Sequence, residues 1–169
     1  MKPVPTGQLT RTADGADLVL VRTHRAPVAD VWAALTEPER TARWFGSWSG
    51  PAGPGRSVEL TLTAEEGNPT TTVEVLACTP PVHLRIRAVD EYGTWDLEAR
   101  LAEADGVTTV ELVQHLADPG EATSSGPGWE YYLDRLLAVL REEPMPDFAD
   151  YHPALVGHYE QGLAALDGR

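Results

Sequence analysis

Residues 57–116 read SVELTLTAEEGNPTTTVEVLACTPPVHLRIRAVDEYGTWDLEARLAEADGVTTVELVQHL, and their periodicity decides the fold class. Val58, Leu60 and Leu62 alternate with Ser57, Glu59 and Thr61, and Val73 and Val75 alternate with Thr72 and Glu74. Leu84, Ile86 and Ala88 oppose His83, Arg85 and Arg87. Trp95, Leu97, Ala99 and Leu101 oppose Asp96, Glu98 and Arg100, and Val110 and Leu112 oppose Thr109 and Glu111. A period of two sends successive side chains to opposite faces of a strand. Five strands in series are therefore predicted, broken by EEGNP, Pro80-Pro81, DEYG and ADG. One face is apolar and one polar, as in an antiparallel sheet covered on one side. On the wet face Arg85, Arg87 and Arg100 stand among Asp96, Glu98 and Glu111 as structural cross-strand charge pairs.

The flanks supply a sixth strand and a cover. LVLVRTH, residues 18–24, is an aliphatic and β-branched run that predicts a strand. Beyond it, Val28, Val31, Trp32 and Leu35 fall at i, i+3, i+4 and i+7, with Pro27 suited to a first helical turn. Thr36 and Glu39 have capping-box spacing, which predicts a second short helix starting at Thr36 and carrying Trp44 and Phe45 at its end. SGPAGPG, residues 49–55, is a turn-rich loop without the Lys and Ser/Thr of a phosphate cradle. After the polar loop DPGEATSSGPG, helical spacing of Trp129, Tyr132, Leu133, Leu136, Leu137 and Leu140 predicts a long amphipathic helix ending before Pro144. The order predicts an α+β domain: a curved six-stranded antiparallel sheet wrapped around a long C-terminal helix. Residues 1–15 are expected as a flexible leader, 16–142 as the domain and 143–169 as an extension. In that extension Leu155, Val156, Tyr159, Leu163 and Leu166 form the narrow stripe of a short tail helix, packed on the domain or on a partner.

Composition limits the function. The 169 residues suit one domain, with 42% hydrophobic and 23% charged residues. A net charge of −13 works against binding nucleic acid or an anionic membrane surface. One cysteine, Cys78, rules out an internal disulfide and reads as a small hydrophobe near a strand end. No secretory leader or 20-residue apolar run is evident, and a cytoplasmic location is expected.

The catalytic and metal motifs are missing. There is no HExxH, G-x-S-x-G or dinucleotide fingerprint. The five histidines are scattered, so no metal, cofactor or catalytic residue is assigned. The apolar face offers a cleft instead. Its expected lining is Leu60, Leu62, Val73, Val75, Leu84, Ile86, Trp95, Leu97, Val110 and Leu112 from the sheet, and Trp129, Tyr132, Leu133, Leu136 and Leu137 from the helix. Trp44, Phe45 and Trp48 stand near the mouth. The same residues would equally fill an ordinary core. Gln114 continues the inward face and would bond either the backbone or a ligand, while His115 points away. No Asp or Glu falls on the inward faces of the strands, which counts against general acid/base chemistry.

The string HRAPVADVWAALTEPERTARWFG, residues 24–46, followed by GWEYYLDRLLAVL, residues 128–140, resembles a known pattern. It is similar to the bacterial branch of the activator of heat-shock-protein-90 ATPase homologue family, within the SRPBCC (START-like, Bet v-like) superfamily. The matching positions are Ala26-Pro27, Val31-Trp32, Leu35-Thr36, Pro38, Trp44-Phe45 and Gly128-Trp129; His24 departs from the usual Phe. The tail resembles that of some actinobacterial members. The resemblance implies the helix-grip fold but leaves function open, because this fold hosts several. Three functions are carried forward. One is a non-catalytic binding domain for a hydrophobic small molecule. Another is a polyketide cyclase or aromatase-type enzyme depending on Gln114 or Tyr132. The third is a chaperone-regulating or stress-linked protein-interaction module, or a homodimer, using the tail.

Overall fold

The computed structural model describes residues 2–90 and 93–168. Glu91 and Tyr92, in the expected DEYG turn, lie outside the described residues. The strands are β1 (Gln8–Thr12), β2 (Gly15–His24), β3 (Ser47–Ser49), β4 (Ser57–Thr61), β5 (Thr70–Thr79), β6 (His83–Asp90), β7 (Gly93–Ala104) and β8 (Val107–Leu116). The helices are α1 (Val28–Thr36), α2 (Pro38–Thr41), α3 (Ala122–Arg141) and α4 (Val156–Asp167). All strand pairs are antiparallel, in the order β1-β2-β8-β7-β6-β5-β4-β3.

The sheet therefore has eight strands rather than six. β1 lies inside the segment expected as a loose leader, where it pairs with β2 from Gln8↔Val19 to Thr12↔Gly15. It is almost wholly exposed, so no apolar alternation announces it. β3 is three residues long, too short for a periodic signal, and pairs Trp48 with Leu60. The helix-grip arrangement itself stands: α3 lies on the concave apolar face and α1 packs over β7 and β8.

Two local expectations are corrected, and a third point left open is decided. The Thr36–Glu39 capping box does not form. Thr36 ends α1, its hydroxyl donates back to the Trp32 carbonyl at 2.8 Å, and Glu37 precedes Pro38 at the start of α2. The long helix begins at Ala122, not at Trp129. Thr123, Ser124 and Ser125 donate to the carbonyls of Gly120 and Glu121, and Ala122, Gly126 and Pro127 are buried. Tertiary packing overrides the weak helical propensity of this segment. Third, α4 packs on its own domain, against α3 and β1, with Tyr159 and Leu166 buried.

Tyr159 explains that docking. A Cβ on Gly126 would lie 2.5 Å from its ring, and a Cβ on Gly7 would also collide with it. Two glycines thus make the slot that the ring fills. Its hydroxyl donates to Glu130, which is 1% exposed. The same carboxylate accepts the backbone N–H groups of Thr6 (2.7 Å) and Gly7 (2.8 Å), the Thr6 hydroxyl (3.0 Å) and Arg22 Nη2 (2.7 Å). Burial pushes the Glu130 carboxyl up, but the bonds from Tyr159, Arg22 and the backbone outweigh it and hold it below the usual range. Arg22 also bonds Asp134 at 2.9 Å, and Asp134 accepts the Tyr151 hydroxyl at 2.7 Å. One carboxylate on α3 therefore ties the N-terminal segment, β2 and the tail together.

The convex face carries the expected charge pairs. Arg85 is bidentate to Asp96 at 2.9 Å, and Arg100 meets Glu111 at 3.1 Å and Glu98 at 3.2 Å; Arg87 pairs with Glu74 at 3.3 Å. A denser chain crosses four strands. His115 contacts Asp17 through Nδ1 (2.7 Å) and Glu98 through Nε2 (2.9 Å), and His83 Nε2 reaches the other Glu98 oxygen at 2.7 Å. Burial pushes His115 down, yet the two carboxylates outweigh it and raise its pKa. Burial pushes Glu98 up, but His115, His83 and Arg100 bring it down to about 2.

Two outcomes follow from these contacts. Glu130→Ala leaves two backbone N–H groups and the Tyr159 hydroxyl without their acceptor and Arg22 with Asp134 as its one remaining carboxylate, and should lower the unfolding free energy by about 3 kcal/mol, measured by urea denaturation. The raised His115 pKa gives stability that is complete below its unfolded value near 6.5 and is lost as pH rises through the folded value. Denaturation from pH 6 upward should show a decline in the native protein that His115→Gln removes.

Candidate ligand cavity

The concave face holds an apolar cavity with two adjoining lobes. The smaller, about 90 Å³, lies over β6, β7 and β8 and is bordered by Trp44, Leu97, Ala99, Val110, Leu112, Trp129 and Leu133. The larger, about 170 Å³, lies over β4, β5 and β6 and is bordered by Thr36, Trp48, Ala52, Gly53, Val58, Leu60, Val73, Val75 and Cys78. Leu35, Thr41, Phe45, Leu84 and Ile86 border both. Glu98 borders the smaller lobe, but its carboxylate is bound on the opposite face by His83, His115 and Arg100.

The roof is aromatic. Phe45 stacks edge-on against Tyr132 at 4.9 Å between centroids, and lies 5.4 Å from Trp44 and 5.9 Å from Trp129. Trp95 meets Trp129 edge-on at 6.2 Å. Such packing holds the rings in fixed relative orientations. The polar atoms of Trp44, Trp48, Trp129 and Tyr132 are already engaged. Trp44 Nε1 donates to the Ala34 carbonyl (2.8 Å), Trp48 Nε1 to the Thr36 carbonyl (3.0 Å) and Trp129 Nε1 to Gln114 Oε1 (3.1 Å). The Thr41 hydroxyl donates to the Pro38 carbonyl at 3.2 Å. The Tyr132 hydroxyl donates to Glu65 at 2.9 Å, and burial together with that carboxylate pushes its pKa far up, so it stays protonated.

Of the expected lining, Trp44, Phe45, Trp48, Leu60, Val73, Ile86, Leu97, Leu112, Trp129 and Leu133 border a lobe. Val75, Leu84 and Val110 do so as well, whereas Leu62, Trp95, Gln114, Tyr132, Leu136 and Leu137 do not. Trp95 and Tyr132 buttress the aromatic roof, Leu136 is core, and Gln114, 3% exposed, sits behind Trp129 and holds its indole. Leu35, Thr41 and Cys78 border a lobe without having been expected there, as do Thr36, Ala52, Gly53, Val58 and Ala99. Leu35 was on the stripe of α1, and only the chain path brings that stripe to the cavity. Cys78 is turned inward by a register shift in β5: Val75 pairs Ile86 but Ala77 pairs Arg85, which puts Cys78 opposite Leu84. A bulge of this kind reverses the faces beyond it. Among the described residues, no group of three His, Cys, Asp or Glu side chains is placed to hold a metal ion. No helix among them is long and apolar enough to cross a membrane.

Residues 25–141 match the family described as Activator of Hsp90 ATPase homolog 1-like protein. The chain belongs to this family. Its superfamily is SRPBCC, as the motifs around Trp32 and Trp129 imply. The crystal structure of CalU16 from Micromonospora echinospora is similar, with 26% identity, a TM-score of 0.72 and 96% of each chain covered. The protein encoded by gene BPP1335 from Bordetella parapertussis is 25% identical with a TM-score of 0.73, over 95% of this chain and 94% of that one. EF2215 from Enterococcus faecalis, 16% identical, shares the fold at a TM-score of 0.71 over 95% of this chain and 91% of its own. None of the curated proteins matches the chain. Family, fold and cavity together mark a ligand-binding domain in the general sense.

Gln114→Leu strands the Trp129 N–H in an apolar setting and should cost about 1–3 kcal/mol of stability. Adding Trp129→Phe should recover part of that loss. A double-mutant cycle by thermal denaturation checks the coupling.

Proposed function

We propose that this domain binds a hydrophobic small molecule, without transforming it, between the concave sheet and α3. The observation that carries this reading is the wall chemistry: the two lobes are lined by aliphatic and aromatic side chains whose N–H and O–H groups are already bonded within the protein. Such a wall attracts an apolar body by removing its surface from water. It holds no acid or base aimed at a reacting atom. A cyclase-type enzyme would need Gln114 or Tyr132, yet neither borders a lobe, and each is committed to a neighbour. An interaction module built on the tail is disfavoured because Tyr159 and Leu166 are buried against the same chain. A cytoplasmic location belongs to the same proposal and suits a lone thiol at the cavity wall.

Titration with the uncharged fluorophore N-phenyl-naphthylamine tests it. Saturable, one-to-one fluorescence enhancement is expected. Ile86→Trp, which puts an indole into the wall shared by both lobes, should abolish the enhancement and leave cooperative unfolding intact. Binding that survives Ile86→Trp, or no binding at all, would overturn the reading.

A further inference from the structure

A β-bulge stands beside the larger lobe, and the residue that follows it is a cation. The Gly55 N–H donates to the Val75 carbonyl at 2.8 Å, and the Val75 N–H donates to the Arg56 carbonyl at 2.8 Å. Gly55 and Arg56 thus both face Val75, and Gly55 has a φ of 80°, a glycine bulge of the type that re-aims the next side chain. From Arg56 the ladder runs regularly, Ser57 opposite Glu74 and Val58 opposite Val73. Alternation therefore puts Arg56 on the face of Val58 and Leu60, both of which border the larger lobe. The Arg56 side chain runs past Gly53, also on that lobe: its Cδ lies 3.9 Å from where a Gly53 Cβ would stand.

Arg56 is exposed and makes no ion pair among the described residues. That is notable in a chain with 26 acidic and 13 basic residues, where most arginines on the sheet are paired. Arg25, Arg40, Arg43, Arg135 and Arg141 also make no ion pair there, but among the described residues only Arg56 continues a strand face that lines the cavity. Apart from the weakly polar Cys78 thiol, the side chains of the wall leave a ligand no polar partner, so a charged group on the ligand must remain at the rim. A guanidinium there can bind a carboxylate, sulfonate or phosphate oxygen with a charge-assisted bond.

We infer that the ligand is an amphipathic anion: an apolar body in the larger lobe and an anionic group at the rim, held by Arg56. This rests on the reading of the cavity as a ligand site. The bulge fixes the cation by backbone geometry, and Arg56 then sets specificity for charge while the lobe sets it for shape.

The test compares two probes with the same ring system, anilinonaphthalene sulfonate and uncharged N-phenyl-naphthylamine, by fluorescence titration. Arg56→Gln should weaken the sulfonate about five-fold and leave the uncharged probe unchanged, the size expected for a partly exposed charge pair. Arg56→Lys should recover much of the loss, and added salt should weaken only the sulfonate with the native protein. If Arg56→Gln changes neither probe, or weakens both equally, the assignment of Arg56 is wrong while the cavity remains a binding site. If neither probe binds the native protein, the cavity reading itself fails and this inference with it.

Discussion

A one-sided sheet of this width cannot be covered by one helix. Eight strands at about 4.8 Å spacing span roughly 34 Å, whereas a helix with its side chains is about 10 Å across. α3 packs toward β2, and α1 takes β7 and β8. The apolar face of β4, β5 and β6 is left to side chains from α1, α2, β3 and the 50–56 loop, and the larger lobe opens there. The cavity is thus a consequence of layer geometry: the concave face is apolar from β2 across to β4 apart from a few polar side chains such as Gln114, and the helical layer is narrower than it.

The aromatic roof keeps that gap from collapsing. Large rings held edge to edge resist closure better than flexible aliphatic chains, and here each indole that borders a lobe is also anchored by a hydrogen bond. The anchoring has a chemical effect as well. A group that donates to Ala34, Thr36 or Gln114 has nothing left for a guest, so the interior recognises shape and apolar surface, and polar recognition is displaced to the rim. A cavity of this kind resembles the dry, hydrocarbon-lined voids that accept small aromatic molecules.

Glu130 plays the matching part on the other side of α3. Its burial would be prohibitive alone, but five donors from three separate segments converge on it. Because Tyr159 of α4 is one of them, the tail becomes part of the domain rather than an appendage. Thr6, Gly7 and Tyr159 thus meet on one side of α3, and the cavity lies on another. On the convex face the Asp17–His115–Glu98–His83 chain links β2, β8, β7 and β6 in a comparable way, with side chains reinforcing the backbone ladder.

The alternation of Val58 to Leu112 was enough to specify an antiparallel sheet with one apolar face, and the stripe from Trp129 to Leu140 was enough to specify its helix, because burial on one side stamps a period on the sequence. Elements without such one-sided burial left no period: β1 is exposed, β3 has three residues, and in 122–128 the buried positions are Ala122, Gly126 and Pro127, with Gly126 against Tyr159. The site divides the same way. Most wall residues lie on the periodic faces and were legible. Cys78 and Arg56 depend on bulges opposite or beside Val75, which reset the phase locally. The roles of Gln114, Tyr132 and Glu130 depend on partners 15, 67 and 124 residues away. By itself, then, the sequence determined which surfaces are apolar and in what order they come. Only the tertiary structure decided which polar groups are already satisfied, where the roof falls short of the sheet, and what is left to meet a ligand, because hydrogen bonds between distant segments have no periodicity to reveal them.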